Sequence, residues 1–249
     1  MRNRPYCSPL TNDTLFDGSL VCRQYREGYR FSVDAVLAGR FSSPRPGDRV
    51  LDLGCGCGVI GLIIAHLHRD ENVRVTGLEL QPDLAMLAHD NVLANGMEEQ
   101  IEIIEGDLKR IGDYLAPESF ELVVSNPPYG VPGTGRISPT GQRARARHEI
   151  DATLEDVVDA AAFAVVNRGR VVFVYPASRA MTLVHLLMSR RLVPKRLLPV
   201  YAYPGGGPAS LVLLEAVKNG GEGVGLLEPL YIHAEKNGPY TQEMERFYR

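Results

Sequence analysis

The apolar positions fall into short runs separated by longer periodic segments. Residues 49–53, 73–80, 101–105, 120–125 and 170–175 are apolar runs of strand length. Between them, 59–68, 82–93 and 154–166 carry apolar residues at helical spacing. Pro82 opens the second of these helices and Asn95-Gly96 closes it. Asn167 to Gly169 stops the third, and a further helix is predicted over 177–190. Residues 193–201 and 210–217 then follow with no helix between them, which predicts an antiparallel hairpin at one sheet edge. Residues 227–233 read as one more extended stretch. Ahead of the alternation, 20–25 reads as a strand. Residues 31–41 read as a short helix that Ser32 can cap, with Val33, Val36 and Leu37 on one face. Pro44, Pro46 and Gly47 mark a turn into the main domain. Strands alternating with helices predict an open α/β sheet covered on both faces.

The first strand runs into Asp52-Leu53-Gly54-Cys55-Gly56-Cys57-Gly58. Glycines there let the backbone turn tightly and approach a ligand. Two ligands compete. Gly56, Gly58 and Gly61 fit a dinucleotide fingerprint, although it starts two residues late. S-adenosylmethionine carries an ammonium and a sulfonium but no pyrophosphate, and an acid at the strand end, Asp52, suits it better. Glu79, ending the second strand, is placed for ribose hydroxyls in both cases and does not decide. Asp107 follows the third strand, where it can accept from an adenine amino group.

The strongest feature is Ser125-Asn126-Pro127-Pro128-Tyr129-Gly130, directly after an apolar strand. Two prolines cannot continue a central strand, so the chain stiffens just past the sheet edge, where α/β ligand sites lie. The Asn126 carboxamide and the Pro127 carbonyl offer two acceptors for the hydrogens of a planar amine. An exocyclic adenine amine is a poor nucleophile, because its lone pair is delocalised. Fixed acceptors orient it and favour charge development as it attacks. Tyr129 can stack on the base.

With these motifs the chain resembles the bacterial tRNA1(Val) adenine-37 N6-methyltransferase family, among the class I S-adenosylmethionine-dependent amino-methyltransferases. The resemblance runs from about residue 20 to the C-terminus. It includes Gly28 to Ala35, the glycine turn, Gly106-Asp107-Leu108, residues 125–129, Gly135 to Pro139, Ala146 to Glu149, Pro194-Lys195-Arg196 and Gly238 to Thr241. It implies a Rossmann-like seven-stranded methyltransferase sheet with a late antiparallel hairpin. Residues 1–45 would form an extension over the cofactor mouth, and 46–249 the methyltransferase domain. Asp52, Gly54, Gly56, Glu79 and Leu80 would hold the cofactor, with Asp107 and Leu108 around its adenine. Arg30, Phe31 and Asp34 would cover it, and Asn126, Pro127, Pro128 and Tyr129 would receive the target amine, Asn126 also bordering the cofactor. Cys57 stands where the family pattern has a small hydroxyl or a glycine. The RNA, the nucleotide and the N6 product come from the resemblance alone.

Charge sharpens one point. The 249 residues carry 27 Lys plus Arg against 30 Asp plus Glu, for a net charge of -3, which excludes a nonspecific coat for nucleic acid. Against that background Arg136, Arg143, Arg145, Arg147 and His148 cluster in one loop, as a positioned RNA backbone requires. Lys195 and Arg196 can extend this footprint or merely lie on the sheet edge. The four cysteines are read as cytosolic free thiols. With His66 and His68 they give no zinc spacing, so no metal is expected. No signal peptide or membrane span is visible, and a cytoplasmic protein is expected. Two other functions stay open: a protein glutamine N5-methyltransferase, which needs no basic loop, and a noncatalytic RNA-binding module that kept the fold.

Overall fold

The computed structural model describes residues 9–27, 30–129 and 152–249. The chain opens with a hairpin of β1 (Leu10–Leu15) and β2 (Leu20–Tyr25), then α1 (Val33–Phe41). The alternation follows as β3 (Arg49–Leu53), α2 (Val59–Leu67), β4 (Arg74–Glu79), α3 (Pro82–Ala94), β5 (Ile101–Glu105), a 3-10 turn (Leu108–Asp113) and β6 (Phe120–Ser125). After it come α4 (Leu154–Ala164), β7 (Val165–Pro176), α5 (Ala180–Ser189), β8 (Leu192–Tyr201) and β9 (Leu211–Lys218). The two-residue strands β10 (Gly225–Leu226) and β11 (Leu230–Tyr231) and a final α6 (Gln242–Arg246) complete the chain.

The large sheet runs in the order β5-β4-β3-β6-β7-β9-β8, with β10 and β11 each parallel to β8. Strands β3 to β7 are mutually parallel, and β9 is antiparallel to both β7 and β8. This is the expected seven-stranded sheet with its late hairpin, and β10 and β11 are additions at its edge. Leu53 is level with Leu78 and with Ser125, so β3, β4 and β6 end side by side. The strand order reverses between β3 and β6, which opens a crevice at those carboxyl ends.

Both faces of the parallel strands are buried, so their sequences read as near-continuous apolar runs. Val50, Val75, Leu122, Val124 and Val172 pack with residues of α1, α2 and α3 on one face. Leu51, Leu78, Val123, Val171 and Phe173 pack with α4 and α5 on the other. Helices α1 and α2 cross closely at Gly39, where a Cβ would lie 2.8 Å from Ile63 Cγ2.

Several boundaries differ from the sequence reading. Helix α1 starts at Val33, and Ser32 takes the cap position without a side-chain cap bond. Helix α4 stops at Ala164, because Val165 already pairs with Phe120 as the first residue of β7. The segment 177–190 is a 3-10 turn followed by α5. In 227–233 only Leu230–Tyr231 is strand. Strand β1, the turn at Leu108–Asp113 and α6 had no periodic signal.

The hairpin is held by carboxamides. Asn91 on α3 and Asn95 at its C-terminal cap each accept a backbone N–H of β2 and return a hydrogen bond to its carbonyl. Asn95 pairs in this way with Val21, and Asn91 with Arg23. They replace the missing neighbour strand on that edge. The chain end closes on the same region: Phe16 N–H donates to the Tyr248 carbonyl at 2.8 Å, and Arg40 donates to the carbonyls of Arg246 and Phe247. No helix among the described residues is long and apolar enough to cross a membrane.

Candidate active site

The glycine turn is left-handed at three positions: Gly54 (φ 72°), Gly56 (58°) and Gly58 (82°). At Gly54 a Cβ would meet nothing within 4 Å, so backbone conformation alone demands glycine there. The turn bends over the ends of β3 and β4 and leaves a cavity of about 340 Å³. This falls within the usual range for small-molecule sites, roughly 300–1,000 Å³.

Of the residues singled out in the sequence, Arg30, Asp34, Gly54, Gly56, Glu79, Leu80, Asp107, Leu108, Asn126, Pro127, Pro128 and Tyr129 all line this cavity. Phe31 and Asp52 do not. Phe31 is half-buried against the core, and its backbone N–H donates to Gln24 Oε1 at 3.0 Å. Asp52 lies beneath the turn, 1% exposed. The substrate candidates Arg136, Arg143, Arg145, Arg147 and His148 lie outside the described residues. Lys195 and Arg196 are engaged at the far sheet edge. Lys195 caps the carbonyls of Gly221, Glu222 and Gly223. Arg196 sits over the Phe41 ring, 4.5 Å from its centroid, beside Glu215.

The lining also includes Ser32, Gln81, Leu84, Gly106, Ser125 and Val157. Ser32, Gln81, Gly106 and Ser125 adjoin recognised residues, so adjacency could have found them. Val157 comes from α4, and no local signal links it to the site.

The electrostatics are one-sided. Asp34, Glu79 and Asp107 line the cavity, with Arg30 as the single lining base among the described residues. Arg30 is already paired with Asp13 at 3.0 Å. Burial pushes the Glu79 carboxyl up from its ordinary range, and backbone hydrogen bonds pull it part of the way back. In these Gly56 N–H donates to Oε2 and Gln81 N–H to Oε1, each at 2.9 Å. Asp107 Oδ1 accepts from the Lys109 N–H at 2.9 Å. Neither Asp52 oxygen has a hydrogen-bond partner at bonding distance among the described residues. Burial pushes Asp52 up to about 7; the Gly61 backbone offsets this in part, and the Glu79 charge adds to it. An orphaned buried carboxyl and an acid-lined cavity fit a cationic ligand and repel a pyrophosphate. The residues present therefore fit S-adenosylmethionine and not a dinucleotide.

Across the cavity stands the segment 126–129. Ser125 Oγ donates to the Leu53 carbonyl at 2.8 Å and ties the segment's root to β3. The Tyr129 hydroxyl lies 2.7 Å from Asp34 Oδ2 and 2.8 Å from Asn126 Oδ1. Its ring meets the buried Tyr175 edge-on, with centroids 5.8 Å apart. Arg179 lies over Tyr175 and donates to the Tyr129 carbonyl at 3.4 Å. The tyrosine is thus fixed at its ring, its carbonyl and its hydroxyl.

The described cysteines, Cys22, Cys55 and Cys57, are all buried and none lines the cavity. Cys22 and Cys57 lie 3.7 Å apart and buried; their mutual hydrogen bond and burial raise the Cys22 thiol. Burial raises Cys55 as well. Neither Cys22 nor Cys55 is poised as a thiolate.

Residues 34–141 match the methyltransferase small domain. Among similar proteins, the tRNA1(Val) (adenine(37)-N6)-methyltransferase of Porphyromonas gingivalis is 31% identical over 189 residues, covering 74% of this chain and 72% of that protein. The protein of the same name from Bacteroides thetaiotaomicron is 29% identical over 192 residues, covering 77% and 78%. Among solved structures, a predicted O-methyltransferase from Agrobacterium tumefaciens superposes with a TM-score of 0.69, covering 86% of this chain and 95% of that one at 22% identity. TrmN from Thermus thermophilus superposes with a TM-score of 0.52, covering 75% and 48% at 21% identity. The two structures share the fold. By its sequence relationship to the Porphyromonas protein, sustained over nearly three quarters of both chains, this chain belongs to the tRNA1(Val) (adenine(37)-N6)-methyltransferase family of S-adenosylmethionine-dependent enzymes.

Proposed function

We propose that this chain methylates the N6 amine of an adenine in a tRNA, at position 37 of the valine acceptor as in the relatives' name, and that it acts in the cytoplasm. The observation that supports this is the meeting of two unlike walls in one cavity: an acid-lined glycine turn and the residues 126–129. S-adenosylmethionine, when bound, supplies an electrophilic methyl group on a sulfonium. Glu79, fixed by two backbone amides, offers its remaining lone pairs to a ribose diol. Asp107, Leu108 and Leu80 line the cavity and would hold the adenine of the cofactor. Gly54 and Gly56 keep the turn free of side chains, and a bound cation would favour the ionised form of the buried Asp52. Arg30, Ser32 and Asp34 reach the cavity from the N-terminal side, which supports reading residues 1–45 as a cover for the cofactor mouth.

Asn126 Oδ1 and the Pro127 carbonyl accept the two hydrogens of the target amine, and the Tyr129 ring stacks on the base. No strong base is needed, because the amine proton becomes acidic once the nitrogen carries the methyl group. Positioning and fixed dipoles supply the acceleration. The basic segment with Arg136, Arg143, Arg145, Arg147 and His148 would neutralise RNA phosphates.

The test is transfer from methyl-labelled S-adenosylmethionine to total RNA of a strain lacking the protein, followed by digestion to nucleosides. Label in N6-methyladenosine of the tRNA fraction is the expected result. Asn126→Ala should lose the label while still binding cofactor. Label in protein and none in RNA would overturn the RNA reading in favour of a glutamine acceptor.

A further inference from the structure

Asp34 and Tyr129 come from distant parts of the chain, the first turn of α1 and the loop after β6. The Tyr129 hydroxyl stands at hydrogen-bond distance from two oxygens, Asp34 Oδ2 at 2.7 Å and Asn126 Oδ1 at 2.8 Å. A phenol has one proton and cannot give it to both. A carboxylate can only accept, whereas a carboxamide can accept through its oxygen or donate through its nitrogen. A hydrogen bond to an ionised acceptor is roughly twice as strong as a neutral one. The proton therefore belongs to Asp34. The phenol oxygen then faces Asn126 as an acceptor, and two acceptors cannot share that contact.

A half-turn of the carboxamide resolves the conflict, since its two ends have nearly the same shape. The nitrogen then donates to Tyr129, and Oδ1 moves to the other end of the amide. That end has no hydrogen-bond partner among the described residues, and Asn126 lines the cavity.

We propose that Asp34 is a positioning residue for methyl transfer: through the Tyr129 hydroxyl it holds the Asn126 carboxamide with its oxygen turned into the cavity, the orientation that accepts a hydrogen from the target amine. This rests on the function proposed above. Without Asp34 the phenol proton goes to Asn126 Oδ1. The amide nitrogen then faces the incoming amine, donor against donor. The relay thus sets the sign of the dipole that the substrate meets. Both of its ends stand on fixed elements. Tyr129 is pinned against Tyr175 and Arg179. Helix α1 is locked to α2 at Gly39 and to the chain end by Arg40.

The experiment compares the wild type with Asp34→Ala, Tyr129→Phe and the double variant. It measures kcat, KM for RNA and Kd for S-adenosylmethionine, with thermal unfolding to confirm that each variant folds. Each single variant is expected to lose 10- to 100-fold in kcat, with KM and the cofactor Kd within threefold. The double variant should lose no more than Tyr129→Phe alone, because Asp34 acts through Tyr129. Asp34→Asn, which restores a neutral acceptor, should recover part of the rate. Multiplicative losses in the double variant, or a cofactor Kd that rises in step with the fall in kcat, would overturn the relay and make Asp34 a cofactor ligand. A second readout needs no acceptor. In the wild type with S-adenosylhomocysteine bound, the Asn126 side-chain NH2 should show a nuclear Overhauser contact to the Tyr129 ring, lost in Asp34→Ala. Absence of that contact in the wild type overturns the relay, whereas its presence without any RNA methylation overturns only the substrate.

Discussion

Asp52 shows how a residue can be legible in the sequence while its burial is not. Its position after an apolar strand and before a glycine turn marked it as a cofactor acid. The side chain lies under the turn instead, buried and without a hydrogen-bond partner at bonding distance among the described residues. That burial has a consequence for stability. The folded carboxyl is pushed up to about 7, well above the ordinary carboxylate range. The folded state therefore holds a proton that the unfolded chain has already released between about pH 4 and pH 7. The contribution of Asp52 is fully present below about pH 4 and is lost as the pH rises through about 7. Its upper bound is about 4 kcal/mol, from three units at 1.36 kcal/mol each. Denaturant unfolding of cofactor-free protein at pH 4.5 and pH 8 should show Asp52→Asn more stable than the wild type at pH 8 and nearly equal at pH 4.5. Equal pH slopes for the two proteins would show that the carboxyl is not desolvated as described.

At the scale of elements, the strands and helices of the main sheet were legible because both faces of the sheet are buried. Burial on two faces forces uninterrupted apolar runs, and runs of that kind survive in the sequence. Strand β1, with the sequence Leu-Thr-Asn-Asp-Thr-Leu, carries no such run because it buries little of itself. The five-residue α6 is too short to show a period, although Thr241 caps it by accepting from the Met244 N–H. What seats the N-terminal hairpin is equally silent in the sequence. Asn91 and Asn95 look like ordinary polar positions near a helix end, yet their amides serve as the edge partner of β2. Asn91 is fully buried and also donates to the Cys57 carbonyl, so it joins the hairpin to the glycine turn. Asn91→Ala would leave buried backbone groups of β2 and of the turn unpaired, at about 1–3 kcal/mol for such a group. Unfolding should report a loss of about 2–4 kcal/mol. Hydrogen exchange should show the Arg23 amide opening earlier than the strands of the main sheet. An unchanged Arg23 amide would mean that the hairpin is held by its apolar side alone.

The whole molecule pairs a mildly acidic chain with an acid-lined cavity and a set of arginines close together in the sequence. RNA and a cationic cofactor require opposite fields. Reversing Arg143, Arg145 and Arg147 to glutamate should abolish RNA binding in a filter or mobility assay and leave the cofactor Kd unchanged. Retained RNA binding would assign the footprint elsewhere. By itself the sequence determined the order of strands and helices, the glycine turn and the segment 126–129. Each of these is a local pattern, set by burial period or by residues adjacent in the chain. Only the tertiary structure decided that Asp34 meets Tyr129, that Val157 lines the cavity, that Asp52 does not, and that Lys195 and Arg196 serve the sheet edge. Those facts depend on which side chains face each other across elements far apart in the chain. Periodicity shows that a residue is buried, but the partner it is buried against is set by how the layers pack.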